Sequence, residues 1–210
     1  MGADEPALDQ LLARAARGDQ QAWRVLVDQY SGRVYGVLRA QGADPERAEE
    51  ITQSVFCTVA SKLATYVEQG HFESWLFRIA MNRLRDDARR RRRHARSVGD
   101  LEALDAMADR AAGGGGGLRA GGGAGGSGAG GAGGGGAPGL SAEESAALRE
   151  AMSRLSPSDR QVVDLRHVGG LSFKQMSEML GEPLGTLLAR HHRALQKLRS
   201  YLEGTAGDPS

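Results

Sequence analysis

Apolar residues recur three and four positions apart through most of the chain, the spacing that sets one side of a helix against a core. The stretch "ALDQLLARAARGD" opens with this pattern, and Gly18 ends it. The next stretch places Trp23, Leu26, Val27, Tyr30, Val34 and Val37 on one face. A third opens with Asp44 as N-cap, Pro45 at the first helical position and acids in the first turn, all helix-start signals. Its stripe is Ala48, Ile51, Val55, Val59 and Leu63. After the short loop "VEQGH", Phe72, Trp75, Leu76, Ile79, Leu84 and Ala88 line a fourth helix. Further on, Ser141 with Glu144 three residues later makes a capping-box pattern. "SPSDRQVVDLRHVGG" reads as a helix ended by glycine, and Ser172 caps a short helix that stops at Leu180–Gly181. A "GEP" turn leads into a longer helix with Leu184, Leu187, Leu195, Leu198 and Leu202 inward and Arg190, Arg193 and Lys197 outward. No stretch alternates with period two, so the pattern predicts an all-α protein.

One tract divides the pattern. Residues 113–139 hold 18 glycines in 27 positions. Glycine buries no side chain and loses the most backbone entropy on ordering, so the tract cannot form a core. As a coil its ends would stand on the order of 30 Å apart. The expected organisation is a helical domain over 8–97, a glycine-rich linker over 98–140 with the weakly helical "LEALDAMADRAA" fraying into it, and a smaller helical domain over 141–204.

Charge sharpens this division. The formal net charge is only +1, but it is unevenly spread. Residues 1–70 carry seven bases and ten acids, net −3; residues 71–100 carry nine and four, net +5; residues 141–210 carry nine of each. "DARRRRRHAR" at 87–96 and the acid-free run from Leu184 to Arg199 are two basic islands, and they suggest two anionic contacts. The single cysteine, Cys57, excludes an intrachain disulfide and suits a reducing compartment; its place between two apolar faces reads as packing. "MGADEPALDQ" has neither a positive n-region nor an apolar h-region. No apolar run approaches the ~18 residues of a membrane span. The expectation is a cytoplasmic, soluble protein.

Short helix, glycine turn and basic second helix is the helix-turn-helix pattern. Outward arginines on a helix sized for the major groove match phosphates and guanine edges. The chain as a whole resembles the extracytoplasmic-function (ECF) sigma factors of bacterial RNA polymerase, in the small form with only the second and fourth sigma regions. "LLARAARGDQQAWRVLVDQY", "DPERAEEITQSVF" and "FESWLFRIAMNRLRDDARRRRR" resemble parts of region two. "LREAMSRLSPSDRQVVDLRHVGGLSFKQMSEMLGEPLGTLLARHHRALQKLR" resembles region four. The order of the four motifs carries the resemblance, which covers roughly residues 8–96 and 145–203.

The resemblance implies that the chain docks on core polymerase, reads a −10 and a −35 promoter element and helps to open the DNA, with an anti-sigma factor as an optional further partner. It implies polymerase contact by Glu49, Glu50 and Gln53. It implies −10 contact by Arg78, Asn82, Arg83, Arg89, Arg90 and Arg93, with Asn82 suited to bond a base edge. It implies −35 contact by Thr186, Arg190, Arg193 and Lys197. Trp75 reads as core. Two positions depart from the family's common "GTVKSRLHRAL": Leu188 stands where a basic residue is usual, and His191 stands on the apolar stripe, where an imidazole must be hydrogen-bonded or pushed toward neutral.

The pattern excludes other chemistry. No "GK(S/T)" closes the glycine tract and no strand precedes it, so it is not a phosphate loop. His71, His94, His167, His191 and His192 lack cysteine or carboxylate partners at ligand spacing. No enzyme activity, metal or cofactor is expected. The alternatives left open are a helix-turn-helix regulator and a polymerase-binding adaptor without sigma activity.

Overall fold

The structure is a computed structural model that describes the backbone of residues 5–112 and 141–205, with side chains over 8–94 and 141–203. Among the described residues there are α-helices and one 3-10 turn, and no strand. The first unit is α1 (Glu5–Ala16), α2 (Gln20–Ala40), α3 (Pro45–Lys62) and α4 (Phe72–Ala112). The second is α5 (Ala142–Ser153), α6 (Pro157–His167), α7 (Phe173–Leu180) and α8 (Leu184–Thr205).

The helix boundaries follow local chemistry. Gly18 adopts φ 89°, which reverses the chain after α1. Asp19 then caps α2, its carboxylate accepting from the backbone N–H groups of Gln21 and Ala22. Asp44 caps α3 by accepting from Arg47 N–H, with Pro45 in the first turn. Ser141 with Glu144, and Ser172 with Gln175, form capping boxes at α5 and α7. Gly181, at φ 70°, ends α7, and the Pro183 carbonyl accepts from Thr186 and Leu187 as α8 begins.

The core of the first unit is the predicted stripe of α2, Leu26, Tyr30, Val34 and Val37, set against Val55 and Val59 of α3 and Leu76 and Phe77 of α4, all buried. Trp75 packs on its rim, half-buried, with its ring stacked on Tyr66 at 4.6 Å. On α8 the buried positions are Leu187, Ala194 and Leu198. No helix among the described residues is long and apolar enough to cross a membrane.

Four details differ from the sequence pattern. Helix α4 continues through 98–112, part of the stretch expected as linker. At the far end of its stripe, Asp87 is buried and Ala88 is exposed; the register 76, 80, 87 outweighs side-chain polarity because Arg47 of α3, 3.0 Å away, neutralises the carboxylate. Leu184 and Leu195 are exposed, because α8 turns the line of Leu187, His191, Ala194 and Leu198 toward its neighbours, and residue 195 lies about 100° round the helix from 194. Finally, the two units touch. Val162, Leu165, Leu171, Met176, Met179 and Leu187 join the core of the first unit in one buried cluster.

Candidate nucleic-acid interface

Three surfaces carry the residues singled out by sequence. On α3, Glu49, Glu50 and Gln53 are exposed, on the side opposite buried Ile51 and Val55. Cys57, expected in packing, is exposed as well. It lies one turn after Gln53 and two after Glu50, so it belongs to the same polar ridge.

On α4, Arg78, Asn82, Arg85 and Arg89 recur at four- and three-residue steps and are all exposed, which makes one stripe along the helix. The side-chain carbonyl of Asn82 accepts from Arg85 at 3.1 Å, leaving its amide N–H groups to point elsewhere. Arg83 sits beside the stripe and donates to the Thr58 hydroxyl at 3.0 Å. Arg89 pairs loosely with Asp86 at 3.9 Å. Arg90 is turned toward the buried Asp87 at 2.8 Å, which makes it a helix-side ion pair as well as a surface cation. Arg89, Arg92 and Arg93 surround Asp86 in an open, basic concavity. Arg78 stands apart from the others: it donates to the Glu178 carbonyl of α7.

The third surface is the helix-turn-helix of α7 and α8. Thr186 and Arg193 are exposed. Arg190 is half-buried and doubly paired to Glu182 in the turn, at 3.1 and 2.9 Å. Lys197 pairs with the buried Asp159 of α6 at 2.9 Å. That contact and the Ser156 hydroxyl hold the Asp159 carboxyl below its ordinary range, against the opposing effect of its own burial. So only part of the outward cation set is free of acid partners in this arrangement. His191 is on the inner stripe, as its position predicts. Its Nε2 lies 3.0 Å from Nε2 of His167, and burial together with neighbouring His167, Arg166 and His192 pushes it toward neutral. Leu188 is exposed at 43% on the outward side of α8, an apolar side chain among the outward cations. No group of three or more His, Cys, Asp or Glu among the described residues could hold a metal ion.

Sequence reasoning missed the acids that answer these cations. Glu182 and Asp159 were visible, but their partners lie across a turn or on another helix. Only the i, i+3 pairs, Asp86–Arg89 and Asp87–Arg90, could be read from spacing.

Two family descriptions match stretches of the chain that contain these residues. Residues 26–94 match the family description "Sigma-70 region 2", and residues 145–198 match "Sigma-70, region 4". The ECF RNA polymerase sigma factor SigE of Mycolicibacterium smegmatis is 33% identical over 190 residues, 89% of this chain and 65% of SigE. SigK of Mycobacterium ulcerans, also an ECF RNA polymerase sigma factor, is 27% identical over 206 residues, 94% of this chain and 95% of SigK. The chain thus spans about two thirds of the first relative and nearly all of the second. The solved structure of CnrH in complex with the cytosolic domain of CnrY matches in fold with a TM-score of 0.60 at 20% identity, covering 93% of this chain and 97% of that one.

Proposed function

The chain belongs to the sigma-70 family, in its extracytoplasmic-function branch, and from that membership we propose that it binds bacterial core RNA polymerase and directs promoter recognition and DNA melting at initiation. The observation that carries this reading is the coexistence, in one chain, of an acid-rich ridge on α3, a stripe of arginine and amide side chains on α4, and a helix-turn-helix with an exposed basic face. A regulator that only reads duplex DNA needs the last of these and not the first two. An adaptor that only binds polymerase needs the first and not the other two.

In this reading Glu49, Glu50 and Gln53 contact the polymerase. Asn82 addresses a base edge of the −10 element, and Arg78, Arg83, Arg89, Arg90 and Arg93 address its backbone. Arginine suits the backbone because its fork stays charged and bonds phosphate with two parallel donors. Thr186 and Arg193 reach the −35 duplex directly. Arg190 and Lys197 reach it by exchanging Glu182 and Asp159 for phosphate, so each trades one ion pair for another. Leu188 offers the thymine methyl an apolar contact.

The test is transcription by core polymerase on a random promoter library with and without the chain. A recovered pair of elements at −35 and −10 supports the reading; an unenriched library removes it. The polymerase surface is tested separately. Replacing Glu50 and Gln53 by lysine puts two cations on the ridge, and core polymerase should then fail to co-purify while helicity is kept. Undiminished co-purification would place the polymerase contact elsewhere.

A further inference from the structure

Three of the seven exposed large hydrophobic side chains among the described residues are on α8, and they share one edge of it. Leu184, Leu188 and Leu195 recur at steps of four and seven, which stacks them along the helix. This edge does not continue the core. The buried line of α8 runs through Leu187, Ala194 and Leu198, and at about 100° per residue Leu188 stands a quarter-turn away from it. Thr186, Arg190, Arg193 and Lys197, at steps of four, three and four, stand about a quarter-turn away on the other side. Gly185, Ala189, His192 and Gln196 lie between the two edges, farthest from the core, and all four are exposed.

The outer surface of α8 therefore has a basic edge and an apolar edge. No acid interrupts Leu184 to Arg199, so phosphate is tolerated along that whole length. The line between the edges opens with its two smallest residues, Gly185 and Ala189. A Cβ added at Gly185 would meet nothing within 4 Å, and Gly185 is not among the glycines at positive φ. Neither packing nor backbone conformation within the chain asks for a glycine there. Small residues at this point let the helix axis come close to a base pair, and it is the N-terminal residues of a recognition helix that contact base edges. Leu184 and Leu188 are in that part of α8, and Leu195 is about two turns beyond it.

In the major groove thymine alone presents an apolar group, its C5-methyl; the other bases present N7, O6 and amino groups. Against a leucine those polar groups lose water and gain no partner, whereas a methyl group is buried at a gain. A cation at 188 would instead add a phosphate contact, which carries no sequence information.

We propose that Leu184 and Leu188 are specificity-determining residues of the −35 contact, selecting thymine by packing on its C5-methyl group. The inference rests on the sigma reading of the preceding section and names the bases that its second DNA surface takes. The two side chains stand about 5–6 Å apart at Cβ, against ~3.4 Å per base pair, so they serve two thymines within two base-pair steps of each other. The basic edge holds the backbone while the leucines read.

The experiment uses the full chain with core polymerase and the promoter recovered from the library. Each thymine of the −35 element, on either strand, is replaced in turn by uracil, which removes the C5-methyl and changes no residue of the protein. Titration of the labelled promoter then reads affinity. The expected result is about a fourfold loss at one or two thymines, the worth of one buried methyl group, and none at the rest. In Leu188→Ala the loss at one of these thymines should vanish, because the methyl no longer has a partner; in Leu195→Ala it should persist. Leu188→Lys should also abolish that loss, and should steepen the fall of log affinity with log salt by about 0.9, one added phosphate contact. A −35 element indifferent to every uracil would overturn the proposal, as would a uracil penalty that survives in both Leu184→Ala and Leu188→Ala. An unchanged salt slope in Leu188→Lys would place position 188 away from the DNA, with the same consequence. Each of these results leaves promoter-dependent initiation intact, whereas a library that yields no promoter removes the sigma reading and this inference with it.

Discussion

Asp164 is the carboxylate whose charge this fold tolerates least. It is buried, and burial raises its pKa to about 6, against the opposing effects of the Gln41 amide and nearby Arg160. The folded chain therefore holds the proton more tightly than the unfolded one. The resulting stabilisation is full below the ordinary carboxylate value of 3.8. It is lost as pH rises through about 6, and the loss at neutral pH amounts to at most about 3 kcal/mol. Asparagine at this position keeps an oxygen for the Gln41 N–H and carries no charge. We expect Asp164→Asn to raise the melting temperature at pH 8, to leave it nearly unchanged at pH 4, and to flatten the slope between them. Melting curves of both chains across that range decide it. An equal loss of stability at both ends would mean that the carboxylate is worth more as a hydrogen-bonding group than it costs as a charge. Nothing in the sequence marked Asp164 as unusual, because the Gln41 amide that answers its carboxylate lies 123 positions away.

At the scale of a helix, the sequence was most legible where the determinants are local. Asp44, Ser141, Ser172 and Gly181 each act on a backbone group within a few residues, and the ends they predict are the ends observed. Which way a helix faces is settled by its neighbours, and here the pattern was less informative. Helix α8 is contacted by α5, α6 and α7, so its buried line had to be chosen among several leucines; Ala194 and His191 complete it, and Leu184 and Leu195 do not. Glu49, Glu50 and Gln53 are exposed on α3, as their place off the apolar stripe predicts, and Cys57 joins them on that ridge. The recognition face of α8 emerged divided, with Arg193 outward and Arg190 held by Glu182. These two arginines should therefore fail differently. Arg193→Ala should weaken binding to the −35 duplex by about 1–3 kcal/mol, as for a lost base contact, without lowering the melting temperature. Arg190→Ala should lower the melting temperature, because Glu182 loses its partner, and should weaken DNA binding less. Affinity and melting measured on both variants separate the roles. A larger DNA defect for Arg190→Ala than for Arg193→Ala, at unchanged stability, would show that the contact Arg190 makes after leaving Glu182 outweighs the direct contact of Arg193.

At the scale of the whole molecule, the sequence separated two units at the glycine tract and offered no sign that they would dock. The interface joins Arg33 to Gly169 and His71 to Glu178, residues more than 100 positions apart, and no periodicity reaches across such a gap. The docking matters for the smaller unit in particular. A domain of about 60 residues buries only about 60% of the surface that its unfolded chain exposes, and is marginal alone. Its private core is small: Ala151, Leu155, Val163, Ala194 and Leu198. Its larger apolar side chains, Leu165, Leu171 and Met176 among them, are buried in the cluster shared with the first unit. Stability in the second unit should then depend on contact with the first, and the chain should melt as one cooperative body. Scanning calorimetry of the wild type should give a single transition whose calorimetric and van't Hoff enthalpies agree. Arg33→Ala, which cuts the links to Glu73 and Gly169 and leaves every apolar side chain in place, should uncouple the units. The expected trace then has a second, lower transition from residues 141–205, with the upper transition near its original temperature. Two transitions in the wild type, already at the positions seen in the variant, would mean that the shared core adds nothing to cooperativity and that the two units stand or fall separately.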